Sequence, residues 1–287
     1  PGTGIIKSIN RGERRRFLSI IVELEDDTFK TFDKYTTSKI NELTKDNIKK
    51  QLLESGLWTS LRRRPFGDIP DAESVPNSIF VTAMDTNPLS GSIAKFLEGL
   101  EEYFKAGLIL LSKLTNGKLY LCKSPDDDIP VPELSSLCVE EFEGPHPAGN
   151  PGTHIHFLDP VYQDKEVWNI CAQKVVDMGY LFLNGHIRVD KIVALGGVGV
   201  KKPRLMKTRK GACLKELLEQ ELVEGDLRII SGSVLSGRKT GQLTDYLGYY
   251  DQQISVIPEG RKRKLFGWIR PGINDHSVKN VVLSKLI

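Results

Sequence analysis

Apolar and polar positions change period several times along the chain. "FLSIIVEL" (17–24) reads as a β-strand, and "DDTFKTF" continues it after a turn. "TKDNIKKQLLESG" (44–56) predicts a helix: Thr44 takes the N-cap, Gly56 falls just past the end, and Ile48, Leu52 and Leu53 form the apolar stripe. "NSIFVTAM" (77–84) is a continuous run of strand formers, as in a parallel strand buried on both faces. Helical spacing then runs from 90 to 117 through Ile93, Phe96, Leu97, Leu100, Phe104, Leu108 and Leu111, and "KLYLCKS" (118–124) is the next strand. This order is a βαβ unit, which implies a parallel sheet with a right-handed crossover. "SLCVEEF" (136–142) adds a strand, and "DKEVWNICAQKVVDMGYLFLNG" (164–185) predicts one helix ending at a glycine.

From Arg188 the texture becomes mostly β. "RVDKIVALGG", "PRLMKTRKG", "LRIISGSVL" and "QQISVIP" are short strands, with one short helix at "CLKELLEQEL" (213–222). The pattern is an α/β domain followed by a small β module, without internal repeats. The opening "GTGIIKSI" starts in mid-pattern and the closing "VVLSKLI" stops inside an apolar run, so the chain reads as part of a longer protein.

Composition narrows the class. A 287-residue chain with 39% hydrophobic and 27% charged residues is long enough for a sizeable core and is expected to be soluble. No apolar run approaches a membrane span, and no signal pattern opens the chain. Cys122, Cys138, Cys171 and Cys213 never form C-x-x-C, which argues against a zinc ribbon or iron–sulfur cluster and points to reduced thiols. The net charge of +3 is mild, although basic residues cluster at 61–66, 201–211 and 261–264. These clusters suit solvated faces or docking onto acidic partners and lipid headgroups better than nucleic acid, for "KKPRLMKTRKG" lacks interleaved aromatics.

Three segments are candidates for chemistry. "GSVLSGRKT" (232–240) resembles a phosphate loop, but Arg238 intervenes between Gly237 and Lys239, and "GGVGVKKP" (196–203) places Pro203 where a helix should begin. The chain therefore shows no glycine loop for NADH or flavin phosphates. "GPHPAGNPGTHIHFLDPV" (144–161) holds His146, His154 and His156. On a strand His154 and His156 would share a face and could join His146 or Asp159 on a metal; the plainer reading is a shaped strand-and-turn element with hydrogen-bonded histidines. In loop 57–68, Leu57, Trp58, Leu61 and Phe66 alternate with Arg62, Arg63 and Arg64. Aromatic walls with cationic donors suit a flat ring bearing carbonyl oxygens, such as a quinone. The alternative is that Trp58 and Phe66 cover a sheet edge while the arginines face water.

Five segments carry a family likeness: "GLWTSLRRRPFGDIPD", "IFVTAMDTNPL", "GPHPAGNPGTHIHFLDPV", "RIISGSVLSG" and "YLGYYDQQISVIPEGR…LFGWIRPG". They resemble the NqrA family, which supplies one subunit of the sodium-translocating NADH:quinone oxidoreductases. The resemblance implies an α/β fold: a partial barrel-sandwich segment over 1–40, and over 41–186 a Rossmann-like domain akin to the flavin-binding subunit of complex I. An SLBB (β-grasp-like) module would follow over 187–270, with the start of a further region at 271–287. It implies a peripheral subunit on the cytoplasmic side of the bacterial inner membrane, inactive in isolation. Its partners would be the other subunits and a quinone, not nucleic acid. NADH and flavins would be handled elsewhere, and this chain would hold no covalent cofactor. Family quinone contacts fall near Leu61 to Asp68, which makes Trp58, Leu61, Arg62, Arg64, Pro65 and Phe66 the quinone-binding candidates. No residue is expected to be catalytic, and His146, His154 and His156 are the weaker metal alternative.

Overall fold

The computed structural model describes residues 2–26, 28–261 and 265, so most of the 261–264 basic cluster and the whole 271–287 segment lie outside the described residues. Strands β1 (Thr3–Arg11) and β2 (Phe17–Asp26) pair as an antiparallel ribbon. Ile6, Ile9, Phe17 and Ile20 on it are exposed. Residues 28–36 do not continue the ribbon as a strand. They run along the chain near 182–185 instead, where Phe32 N donates to Gly185 O and Tyr35 N to Phe182 O, both at 2.8 Å. Helix α1 (Thr37–Ile40) precedes α2 (Lys45–Glu54). Thr44 caps α2 by accepting from Asn47 N at 3.3 Å, and Gly56 adopts φ +75° just beyond its end.

The central sheet follows from β3 (Arg62–Arg64), β4 (Ser78–Ala83), β5 (Lys118–Lys123), β6 (Leu137–Glu141) and β7 (Val167–Cys171), in the order β3-β7-β4-β5-β6. Strands β7, β4, β5 and β6 are parallel, and β3 closes one edge antiparallel. Every residue of β4 is buried, as its continuous run of strand formers implied. The βαβ unit is present, but its helix is broken into α3 (Ile93–Leu97) and α4 (Glu101–Ser112). Gly99 between them takes φ +74°, a left-handed conformation no helix interior adopts, and its N–H is held by Glu101 Oε1 at 2.9 Å.

Two further expectations change. Helix α5 (Pro151–Leu158) replaces the strand expected in the histidine segment: Asn150 is its N-cap and Pro151 starts its first turn, so the Asn-Pro pair opens a helix here. Residues 164–185 do not form one helix but β7 followed by α6 (Ala172–Asn184). Val167, Trp168 and Ile170 satisfy either period, and pairing with β4 decides for the strand. Helix α6 packs on α4 with backbones almost touching: a Cβ on Gly179 would lie 1.8 Å from Tyr103 O, and one on Gly107 2.2 Å from Val175 O.

The second sheet contains β8 (Asp190–Gly196), β9 (Arg204–Arg209), β10 (Leu227–Ser231), β11 (Arg238–Lys239) and β12 (Gln253–Pro258), ordered β11-β10-β12-β8-β9. The helix expected over 213–222 shortens to α7 (Leu214–Leu217). This module has its own core of Val193, Leu195, Leu214, Leu218, Leu247, Ile254 and Val256.

Candidate functional site

The arginine-rich loop becomes a tight hairpin on the sheet edge. Arg62 to Arg64 pair with Val167 to Asn169, and the chain reverses through Pro65, Phe66 and Gly67. Arg63 N donates to Asp68 O at 2.8 Å, and Gly67 N to Arg63 O at 2.6 Å. The Arg63 guanidinium grips both carboxylate oxygens of Asp68, at 2.9 and 2.5 Å, and lies 3.7 Å from Glu166. That hydrogen bond holds the Asp68 carboxyl below its ordinary range. Arg62 donates to Gly67 O at 3.1 Å and stacks on Tyr250, 4.0 Å from the ring centroid.

The candidate quinone residues do not gather into one wall. Trp58 and Leu61 belong to the core: Trp58 meets Trp168 edge-on at 5.4 Å and donates Nε1–H to Pro70 O at 2.9 Å. Phe66 stands at the hairpin tip with 79% of its surface exposed, beside exposed Pro65, with Arg63 5.6 Å from its ring centroid. The half-buried Arg64 guanidinium has no hydrogen bond or ion pair among the described residues. It lies against the start of α5, where a Cβ on Gly152 would approach Nη2 to 3.3 Å.

The histidines do not converge either. Residues two apart on a helix point about 200° apart. His154 is fully buried against Phe142, ring centroids 4.3 Å apart, while His156 is exposed. His154 Nε2–H donates to Ala148 O at 2.9 Å, and burial pushes the ring's pKa down to about 4. His146 Nδ1 meets Thr86 Oγ1 at 3.3 Å. Among the described residues no three metal-ligating side chains form a cluster.

Two concavities lie at the carboxyl ends of the parallel strands. One, of about 320 Å³, is lined by Asp85, Asp127 and Glu143 with Thr86, Ser92 and Ser124, and its carboxylates oppose a phosphate. The other, about 670 Å³, is an apolar groove between the two modules, walled by Leu89, Leu195, Val198, Pro203 and Leu205 and edged by Lys95 and Arg204. The second module closes over the remaining strand ends. Gln173 exchanges hydrogen bonds with both the N–H and the C=O of Ile192, at 3.2 and 2.8 Å. Gln253 donates to Pro88 O at 2.9 Å, and Tyr250 to Thr59 O at 2.7 Å.

Comparison with known proteins places this architecture. Residues 43–187 match the family model of the NqrA second alpha/beta domain, and residues 192–242 match that of the NQRA C-terminal domain. The chain belongs to the NqrA family. It is 50% identical over 286 residues to the NqrA subunit of the Na(+)-translocating NADH-quinone reductase of Marinomonas sp. (strain MWYL1), covering all of this chain and 64% of that protein. It is 47% identical over 283 residues to the same subunit of Pasteurella multocida (strain Pm70), covering 99% of the chain and again 64% of the relative. This chain thus spans somewhat under two thirds of the length of these NqrA relatives. Its fold also resembles that of an NAD+-reducing [NiFe]-hydrogenase in the air-oxidized state, with a TM-score of 0.52 and 13% identity over 82% of this chain and 53% of the other. At that identity the likeness is one of fold alone.

Sequence reasoning missed the buried charges at the junction of the modules. Asp177 on α6 binds Lys210 at 2.6 Å, Arg188 at 3.4 Å and Lys174 at 3.6 Å, all buried. Lys210 belongs to the basic cluster read as a solvated face. A lysine in sequence carries no mark of burial, and the only signal was Asp177 in the apolar stretch of α6.

Proposed function

We propose that this chain serves as part of the NqrA subunit in a sodium-translocating NADH:quinone reductase of a bacterial respiratory chain. The observation that carries this reading is near-50% identity over the whole chain to NqrA subunits of such reductases. No helix among the described residues is long and apolar enough to cross a membrane. Resemblance to the NqrA family is what supports reading the chain as a peripheral part of the assembly on its cytoplasmic side. NADH oxidation and flavin chemistry belong, in this reading, to other subunits.

The hairpin at Arg62 to Asp68 is the proposed quinone-contacting surface. An exposed phenyl ring at Phe66 offers a stacking face, and the Arg64 guanidinium, without a hydrogen bond or ion pair among the described residues, offers donors to a quinone carbonyl. Burial of Trp58 and Leu61 favours a second reading, in which the chain only docks and orders its partners. Complementation separates both from an unrelated role. A full-length NqrA carrying this segment should restore sodium-stimulated NADH:quinone reductase activity to a complex that lacks NqrA, while the isolated chain gives no turnover. Failure to assemble with the other subunits would sink the proposal.

A further inference from the structure

The turn from Leu247 to Asp251 in the second module reaches back onto the first, and it is held on several sides. Leu247 is buried in the second module's core, and its N–H donates to Ala212 O at 2.9 Å. Gly248 N donates to Ser231 Oγ at 2.9 Å, and that hydroxyl donates to Asp251 Oδ2 at 2.6 Å. The buried Lys191 ammonium of β8 donates to Gly248 O at 3.1 Å and to Tyr249 O at 2.9 Å. Lys174 of α6 lies over the Tyr249 ring, 3.3 Å from its centroid.

From this fixed turn two adjacent tyrosines, their rings edge to face at 4.9 Å, grip the chain that leads into the hairpin. Tyr249 Oη and Ser60 Oγ share a hydrogen bond of 2.9 Å, and Tyr250 Oη–H donates to Thr59 O at 2.7 Å. Thr59 and Ser60 end a short helical turn, Leu57–Ser60, with only Leu61 between it and β3. Next along the chain, the Arg62 guanidinium lies 4.0 Å from the Tyr250 ring centroid and donates to Gly67 O at 3.1 Å. Gly67 adjoins Phe66, so one line of contacts runs from the Tyr250 ring through Arg62 to the hairpin tip.

This geometry divides the three arginines by task. A planar guanidinium can stack its face on a ring and still donate from its edge, which an ammonium cannot do. With its face on Tyr250 and its edge on Gly67 O, Arg62 is a strut. Arg63 is bound to Asp68 by two hydrogen bonds. Arg64 keeps its guanidinium without a hydrogen bond or ion pair among the described residues. Two arginines therefore shape the hairpin, and the third is available to a ligand.

We propose that Tyr250 and Arg62 are positioning residues: they hold Phe66 and Arg64 in the posture that meets quinone, so the second module sets the quinone affinity of a hairpin that belongs to the first. This rests on the reading of the hairpin as the quinone-contacting surface. Tyr249, tied to Lys174 and Lys191, anchors the pair to α6 and β8. A hairpin ordered in advance spares the ligand the cost of ordering it. That gain enters affinity and leaves untouched the rate of chemistry performed elsewhere.

The test uses the full-length protein assembled in the complete reductase, with KM and kcat measured for a short-tailed quinone. Tyr250 is 42% exposed, so Tyr250→Leu leaves the core intact. It should raise KM about fivefold, as loss of one stacked cation–ring contact implies, and leave kcat within about twofold. Tyr250→Phe keeps the ring and should stay within about twofold of the wild type. Arg62→Lys keeps the charge but loses the stacked fork, and it should match Tyr250→Leu, with the double variant no worse than either. Should Tyr250→Leu fail to assemble, Arg62→Lys carries the same prediction. A near-normal KM in Arg62→Lys beside a raised one in Tyr250→Leu would make Arg62 a direct charge contact and overturn the proposal. Arg64→Ala separates the two readings. Raised KM in Arg64→Ala with unchanged KM in Tyr250→Leu would overturn the positioning role and leave the quinone surface standing. Unchanged KM in both would remove the quinone reading and this inference with it. A fall in kcat at unchanged KM would make the pair a structural contact only, and would also overturn the proposal.

Discussion

Arg63 and Asp68 clasp each other across the hairpin tip, guanidinium to carboxylate through two hydrogen bonds of 2.9 and 2.5 Å, and thereby fix where Phe66 projects. The pair is largely solvated, so its contribution is local order rather than global stability. Asp68→Asn should leave the unfolding midpoint unchanged while speeding hydrogen exchange at the Gly67 amide, which donates to Arg63 O at 2.6 Å. Because the Asp68 carboxyl is lowered chiefly by its hydrogen bond from Arg63, this local ordering is present above the unfolded carboxylate pKa. It is lost as pH falls through the lower folded value. Unchanged exchange at Gly67 would mean that the clasp does not order the tip.

His154 should make the fold sensitive to mild acid. Its pKa is lowered to about 4, so below about 6.5 the unfolded chain takes up a proton that the folded ring refuses. Stability therefore falls from about pH 6.5 to pH 4 and levels off below, by roughly 3 kcal/mol from this group. Chemical denaturation at pH 7 and pH 4.5 measures the slope, and His154→Gln should flatten it relative to the wild type.

The backbone contact between α4 and α6 leaves no room for a side chain. Gly179→Ala would bring a Cβ to 1.8 Å from Tyr103 O, a clash only helix displacement relieves. A loss of more than about 3 kcal/mol is expected, measured by denaturant unfolding. Gly67→Ala, which meets nothing within 4 Å but has φ +75°, should cost only about 1 kcal/mol through backbone strain.

Asp177 balances more charge than any neighbouring acid. Asp177→Asn would strip Lys174, Arg188 and Lys210 of their shared partner and should cost about 3–5 kcal/mol. Adding Lys174→Met to that variant should recover part of the loss. Additive losses in the double mutant would mean that Lys174 is not coupled to Asp177.

Much of this fold was readable where local signals agreed. Strand β4 declared itself through a continuous run of strand formers, and α2 through Thr44 and Gly56. The misread elements are those where two periods or two meanings coincide. Val167, Trp168 and Ile170 continue smoothly into α6, without glycine or proline to mark the change, so strand β7 was hidden. "NPG" serves a turn or a helix start equally well, and it was the helix that formed. At the candidate site, alternation of Trp58, Leu61 and Phe66 with arginines suggested one aromatic wall. Pairing of β3 with β7 instead sends Trp58 and Leu61 inward and Phe66 outward, a division set by tertiary register rather than local pattern.

The central claim is best tested by titrating the full-length protein with a short-tailed quinone while following backbone amide shifts, with NADH as control. Saturable shifts confined to Arg64 to Asp68, lost in both Arg64→Ala and Phe66→Ala and absent with NADH, are the expected result. Exposure of Phe66 makes its removal neutral for stability, so a loss of shifts cannot be unfolding. No shift in the hairpin at millimolar quinone, or shifts that survive Arg64→Ala, would contradict a quinone contact there and leave the chain as a docking element.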